Sequence, residues 1–260
     1  DVDSNGTLDN NDFRVKLDGV DSVTVEDLGF VPGVTFTANT VGFDTTVAGD
    51  SQENNAVTQQ DDTVNATVNQ INDAATNLTT QGGNDTVNIT GTGVTNLTTG
   101  TSAGDFETVT LGNGVTGLTA VAADVTNMTT LTGDSGTNQT YTVNDTDDLT
   151  GVTNTDIETV SLADANGSGD TLTLDPANLT DVTTLNIDSA GNGGADTLAL
   201  DDGTYDFSNI TVTFGDAGSN LDLDTNGTAA KTVTVDAADL NNVGTGNITG
   251  EAAAGVTTTL

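Results

Sequence analysis

The side chains here that could do chemistry are nearly all carboxylates: 34 Asp and 5 Glu stand against three cations, Arg14, Lys16 and Lys231. Their most ordered arrangement opens the chain. Asp1, Asp3, Asn5, Thr7, Asp9 and Asp12 put oxygen donors at positions 1, 3, 5, 7, 9 and 12 of a loop, with Gly6 at its sharp turn. That is the spacing at which a twelve-residue loop wraps a calcium ion, Thr7 serving through its backbone carbonyl. Asp12 occupies the position where Glu usually closes such a loop in bidentate fashion, and it is one methylene shorter. The competing reading is an Asx-turn followed by a helix cap. Either way residues 9–16 read as a short exiting helix, with Phe13 and Leu17 facing inward.

Further along, three turns join glycine to an acid: Gly82-Gly83-Asn84-Asp85, Gly167-Ser168-Gly169-Asp170 and Gly191-Asn192-Gly193-Gly194-Ala195-Asp196. Asn84, Asp85, Asp170 and Asp196 are thereby candidate calcium ligands, and Asx-turns are the alternative. The pairs Asp61-Asp62, Asp147-Asp148 and Asp201-Asp202 read as solvated acidic turns.

Other chemistry is excluded by composition. With no His and no Cys, the chain has no imidazole base, no thiolate and no soft-metal ligand set. Three cations make no patch for nucleic acid or anionic lipid, and no phosphate loop occurs. Paired carboxylates could serve a glycosidase, but sugar platforms are aromatic and the chain has 2 Tyr, 7 Phe and no Trp. The expectation is a non-enzyme. Threonine pairs such as Thr171/Thr173, Thr211/Thr213 and Thr232/Thr234 could build an ice-binding array if they stacked in register, but Ser161, Asn186 and Ala199 interrupt the ranks. Strand-face threonine is the default reading.

The elements that must position these residues are strands. Asp outnumbers Glu, and 54 Thr and 31 Gly accompany it, a composition of strands and turns rather than helices. From about residue 82 a five-residue core recurs: Asp85–Ile89, Glu107–Leu111, Glu158–Leu162, Asp170–Leu174, Thr183–Ile187, Asp196–Leu200, Ile210–Phe214 and Lys231–Val235. Within it the apolar residues point one way and Thr the other. Val160, Leu172, Leu185, Leu198 and Val212 step by 12 to 14, whereas Val87, Val109 and Leu131 step by 22. One repeated motif favours a β-solenoid, parallel β-helix-like, in which each rung buries its aliphatic residues by stacking; tandem β-sandwich domains are the alternative. The 22-residue steps suggest longer turns or a three-sided coil in the first half. Residues 1–60 read as a calcium-loop region with short strands and 61–260 as the repetitive β-domain.

The opening loop resembles the EF-hand-like loops of dockerin-type modules, where an acid of either length closes the site. The glycine-acid turns resemble RTX repeats. The rungs Glu107–Leu111, Asp170–Leu174 and Asn178–Ile187 are similar to β-strand-repeat regions of RTX-linked bacterial surface-layer proteins and adhesins, although no full nonapeptide recurs in tandem. The resemblance covers roughly residues 82–250 and implies an extracellular, calcium-binding structural protein at the cell surface, with Ca²⁺ as its ion. It is expected to assemble as a homopolymer into a surface layer or filament; a calcium-stiffened adhesin stalk or ligand-binding segment is the alternative. At formal charge −36 the chain repels itself until cations neutralise it, so a salt-adapted archaeal surface glycoprotein is a third reading. Asn-X-Ser/Thr occurs 14 times, from Asn5 and Asn65 through Asn178 to Asn247, which offers acceptors for N-glycans. No apolar run is long enough for a membrane span, and no basic-then-apolar leader opens the chain, as expected of a processed exported protein.

Overall fold

The computed structural model describes residues 35–37, 63–72, 84–97, 106–121, 127–163, 168–187, 194–201, 203–215, 217–223, 232–236, 239–240, 243–249 and 257–259. The chain divides into two compact units, Asp1–Val31 and Pro32–Leu260, and every described residue belongs to the second.

Alternating apolar and Thr residues, punctuated by Gly, Asn and Asp, make short strands. In chain order they are β1 (Thr35–Thr37), β2 (Thr63–Thr67), β3 (Asp85–Thr90), β4 (Gly93–Leu97), β5 (Phe106–Leu111), β6 (Val115–Val121), β7 (Thr130–Thr132), β8 (Thr140–Asn144), β9 (Asp147–Asp148) and β10 (Thr153–Thr155). They continue as β11 (Thr159–Ala163), β12 (Thr171–Leu174), β13 (Thr184–Ile187), β14 (Thr197–Leu200), β15 (Thr204–Asp206), β16 (Thr211–Phe214), β17 (Ser219–Asp222), β18 (Thr232–Thr234), β19 (Val243–Thr249) and β20 (Thr257–Thr259). Each recurring five-residue core of the sequence contributes its central residues to one of these strands. One helical turn, α1 (Val68–Ile71), and a 3-10 turn at Pro176–Leu179 complete the described elements.

The fold is a β-solenoid. Sheet A runs β1-β2-β3-β5-β7-β10, sheet B β4-β6-β8-β11-β13-β16, sheet C β9-β12-β14-β17-β19 and sheet D β15-β18-β20. Every pairing among the described strands is parallel, which excludes antiparallel sandwiches for this region. The strands of one sheet are never consecutive in sequence after residue 90, as coiling requires.

Register explains the two sequence periods. Val87 pairs with Val109 and Val109 with Leu131, so the 22-residue step is one whole coil returning to the same sheet. Val160, Leu185 and Val212 stack on sheet B, while Leu172, Leu198 and Leu221 stack on sheet C. The shorter steps therefore count strands on alternate faces and not coils. Among the described strands, those from β3 to Val121 alternate between sheets A and B, and the first strand of sheet C is β9.

The inward columns are aliphatic, apart from Tyr141, and closed to solvent. Val64, Val87, Val109 and Leu131 line sheet A; Leu118, Tyr141, Val160, Leu185 and Val212 line sheet B; Leu172, Leu198 and Leu221 line sheet C. Each fully buried aliphatic side chain contributes about 1.5–3 kcal/mol, and stacking is the only way a five-residue rung collects it. Sheet A ends where Pro176 enters. Proline has no N–H for the ladder, and the chain makes its 3-10 turn there instead. Asp175 caps that turn by accepting from Ala177 and Asn178 N–H, at 2.8 and 3.2 Å. Asn178 is fully buried, and its Nδ2 donates to the Leu149 and Val152 carbonyls at 2.8 and 2.7 Å. Asn154, the inward residue of β10, donates in turn to the Asn178 carbonyl at 2.9 Å.

Candidate functional site: stacked carboxylates

Asp1, Asp3, Asn5, Thr7, Asp9 and Asp12 lie outside the described residues, as do Gly82, Gly83, Gly167 and Gly191 to Gly193. The four later candidates are placed. Asn84 is exposed at the bend before β3, and Asp85 is the buried first residue of that strand. Asp170 and Asp196 are both buried, each immediately ahead of its strand in sheet C.

Sheet C brings Asp170 and Asp196 together and leaves Asp85 on sheet A. The pairings Leu172–Asp147, Thr171–Thr197 and Thr197–Asn220 place Asp145, Asp170, Asp196 and Ser219 at one level on four successive rungs. The Asp170 N–H donates to Asp196 Oδ1 at 2.7 Å. Thr146 Oγ1 donates to Asp170 Oδ1 at 3.1 Å, and the Thr171 N–H donates to Thr146 Oγ1 at 3.1 Å. The carboxylates thus extend the backbone ladder one step beyond the strand.

The same device recurs around the solenoid. Asp85 N–H donates to Glu107 Oε2 at 2.6 Å, Gln139 N–H to Glu158 Oε2 at 2.7 Å, and Gly151 N–H to Asp175 Oδ2 at 2.8 Å. Asp156 N–H donates to Asp181 Oδ2 at 2.9 Å, and Val212 N–H to Asp239 Oδ1 at 3.2 Å. In each pair the acid sits one coil later than its donor. The sequence signal was present, because an acid heads several of the recurring cores, but without register its partner is invisible. Charge-assisted bonds of this kind are about twice as strong as neutral ones.

Glycine beside the acid has an equally structural reason. A Cβ on Gly169 would meet the Ala195 carbonyl oxygen at 2.5 Å. Turns on adjacent rungs stack backbone on backbone, and a side chain would hold them apart.

As a cation site, Asp170 and Asp196 supply at most four carboxylate oxygens, with Thr146 beside them, where calcium takes six to eight. Among the described residues no group of three or more His, Cys, Asp or Glu side chains gathers closely enough to hold a metal ion.

A second acidic feature lies next to this column. Asp147 is raised above the ordinary carboxylate value of 3.8, chiefly by burial and then by Asp148 nearby, with the Asp148 N–H pulling the other way. The buried Tyr141 hydroxyl is pushed well up, first by burial and then by the charge of Asp147. Neither Tyr141 Oη nor Asp147 Oδ2 has a hydrogen-bond partner.

Neither protein-family models nor curated proteins nor solved structures yield a match to this chain. Among the described residues no helix is long and apolar enough to cross a membrane.

Proposed function

We propose that the protein is an extracellular structural solenoid that assembles with copies of itself into a surface layer or filament, with calcium as the trigger. The observation that carries this reading is the parallel pairing of every described strand pair in a chain of formal charge −36. Parallel in-register rungs repeat one docking geometry, so a further copy can add rungs with the hydrogen bonds already used inside the solenoid. Charge opposes that docking until cations bind. The opening loop from Asp1 to Asp12 is the proposed first calcium site, and metal binding there couples to folding and assembly. Asn84, Asn96, Asn127, Asn138 and Asn209 are exposed sequon residues and are the proposed glycan acceptors. Asn178 is buried with both Nδ2 protons donated, and it is not among them.

The test is light scattering with negative-stain microscopy, titrating Ca²⁺ and then EGTA at fixed ionic strength. Ordered polymers that dissolve in EGTA support assembly. A monomer that only gains β-structure favours the adhesin-stalk alternative, and indifference to calcium removes the ion from the reading.

A further inference from the structure

The residues facing outward on sheet A form an uncharged net in which threonine holds all positions but Asn65 and Asn88 from β2 to β10. From β2 to β10, successive rungs present Thr63 and Asn65, Thr86 and Asn88, Thr108 and Thr110, Thr130 and Thr132, then Thr153 and Thr155. Their Cα atoms pair one to one through all five strands. Strand β1 joins in the same register, Thr35 opposite Thr63 and Thr37 opposite Asn65. Sheet B carries a similar double rank, Thr140 and Thr142, Thr159 and Ser161, Thr184 and Asn186, Thr211 and Thr213, but Ser161 is buried and leaves a gap in it; Ala199 is on sheet C. Asp148 and Asp222 break sheet C, and Asp206 breaks sheet D.

We propose that sheet A is an ice-binding face, on which the threonine and asparagine ranks hold water in a lattice that merges with ice. Strands about 4.8 Å apart, with side chains on one face about 6.6 Å apart along each strand, make a rectangular net. That net lies close to the spacing of oxygen atoms on a prism face of ice. Every position in it is uncharged, in a chain with 39 acids, so no ionic hydration shell competes with the lattice. Each threonine offers a methyl group that orders water and a hydroxyl that anchors it. Its χ1 is stiff, and the neighbouring rungs leave the side chains of β2 to β7 only half exposed. Asn88 Nδ2 donates to Asn65 Oδ1 at 2.9 Å, which fixes the step where asparagine replaces threonine. Inward, Val64, Val87, Val109 and Leu131 anchor the sheet to the core. The inference is independent of calcium and of assembly.

The experiment compares the full chain with Thr110→Lys, Thr132→Lys and, as a control on sheet B, Thr213→Lys. Ice crystal shaping and ice recrystallisation are scored against protein concentration, with circular dichroism confirming that each variant is folded. The wild type and Thr213→Lys should facet ice and arrest recrystallisation. Thr110→Lys and Thr132→Lys should each need about tenfold more protein, the equivalent of ~1.4 kcal/mol of contact. Absence of ice shaping by the folded wild type overturns the proposal, and so does an equal loss in Thr213→Lys. A dimer by sedimentation that the two sheet A lysines dissolve, with no effect on ice, assigns the face to a second copy instead and also overturns it.

Discussion

Replacing Asp196 separates the hydrogen bond it accepts from the charge it carries. Its Oδ1 receives the Asp170 N–H at 2.7 Å, and both residues are buried. Asp196→Ala strands that N–H, a cost of about 1–3 kcal/mol. It also removes a carboxylate one rung from Asp170. At about 4.8 Å the repulsion relieved is about 0.9–3.5 kcal/mol for an effective dielectric between 80 and 20. The two effects oppose each other, so the alanine variant should sit near the wild type. Asp196→Asn keeps the acceptor oxygen and loses the charge, so it should be the more stable of the two by the full hydrogen-bond term, about 1–3 kcal/mol. With a urea slope of about 1–3 kcal/mol/M, the midpoints should differ by about 1 M, Asn above Ala, in EGTA. Coincident midpoints would refute the carboxylate ladder as the reason for this acid. A wild type that overtakes Asp196→Asn only in calcium would show that the pair works as a cation site.

Asp147 should make stability pH-dependent in the opposite sense to a salt-bridged acid. Its folded value is raised above 3.8, so the folded state holds the proton more tightly. Its contribution is present at low pH and is lost as pH rises through the raised value. Thermal melts of the wild type and Asp147→Asn from about pH 4 to neutrality should diverge as pH rises, with the variant gaining; parallel curves would count against it. Asn178→Leu should lower the urea midpoint by the equivalent of about 2–4 kcal/mol, since it leaves the Leu149 and Val152 carbonyls and the Asp175 N–H without the partner they have at 2.6–2.8 Å. Glycopeptide mass spectrometry should find Asn178 unmodified. Gly133→Ala should destabilise strongly, because its Cβ would collide with the Asp156 carbonyl and the buried Gln139 amide; a melting temperature within a degree or so of wild type would refute the close stacking at that turn.

Much of the fold was legible because burial writes itself into alternation. The cores Glu107–Leu111, Glu158–Leu162 and Thr183–Ile187 each supply a strand whose apolar residues face inward as expected. The candidate site was legible only in part. Asp85, Asp170 and Asp196 were singled out for their glycine neighbours, yet Glu107, Glu158, Asp175, Asp181 and Asp239 accept a backbone N–H from the preceding coil, as Asp196 does, without that signature. Their donors are 19 to 27 residues distant, and no local pattern marks such a pair. The sequon at Asn178 is a similar case, since it is indistinguishable from an exposed one until the 3-10 turn carries the asparagine side chain inside.

The sequence by itself determined that this chain makes short strands, which side of each faces a core, and that charge dominates its exterior. These follow from side-chain chemistry acting within a few residues. Only the tertiary structure decided which strands share a sheet, because the length of chain between strands sets where each coil returns. That choice of register turns scattered threonines into the ranks of sheet A. It also turns isolated acids into a ladder, each bonded to a backbone N–H one coil away.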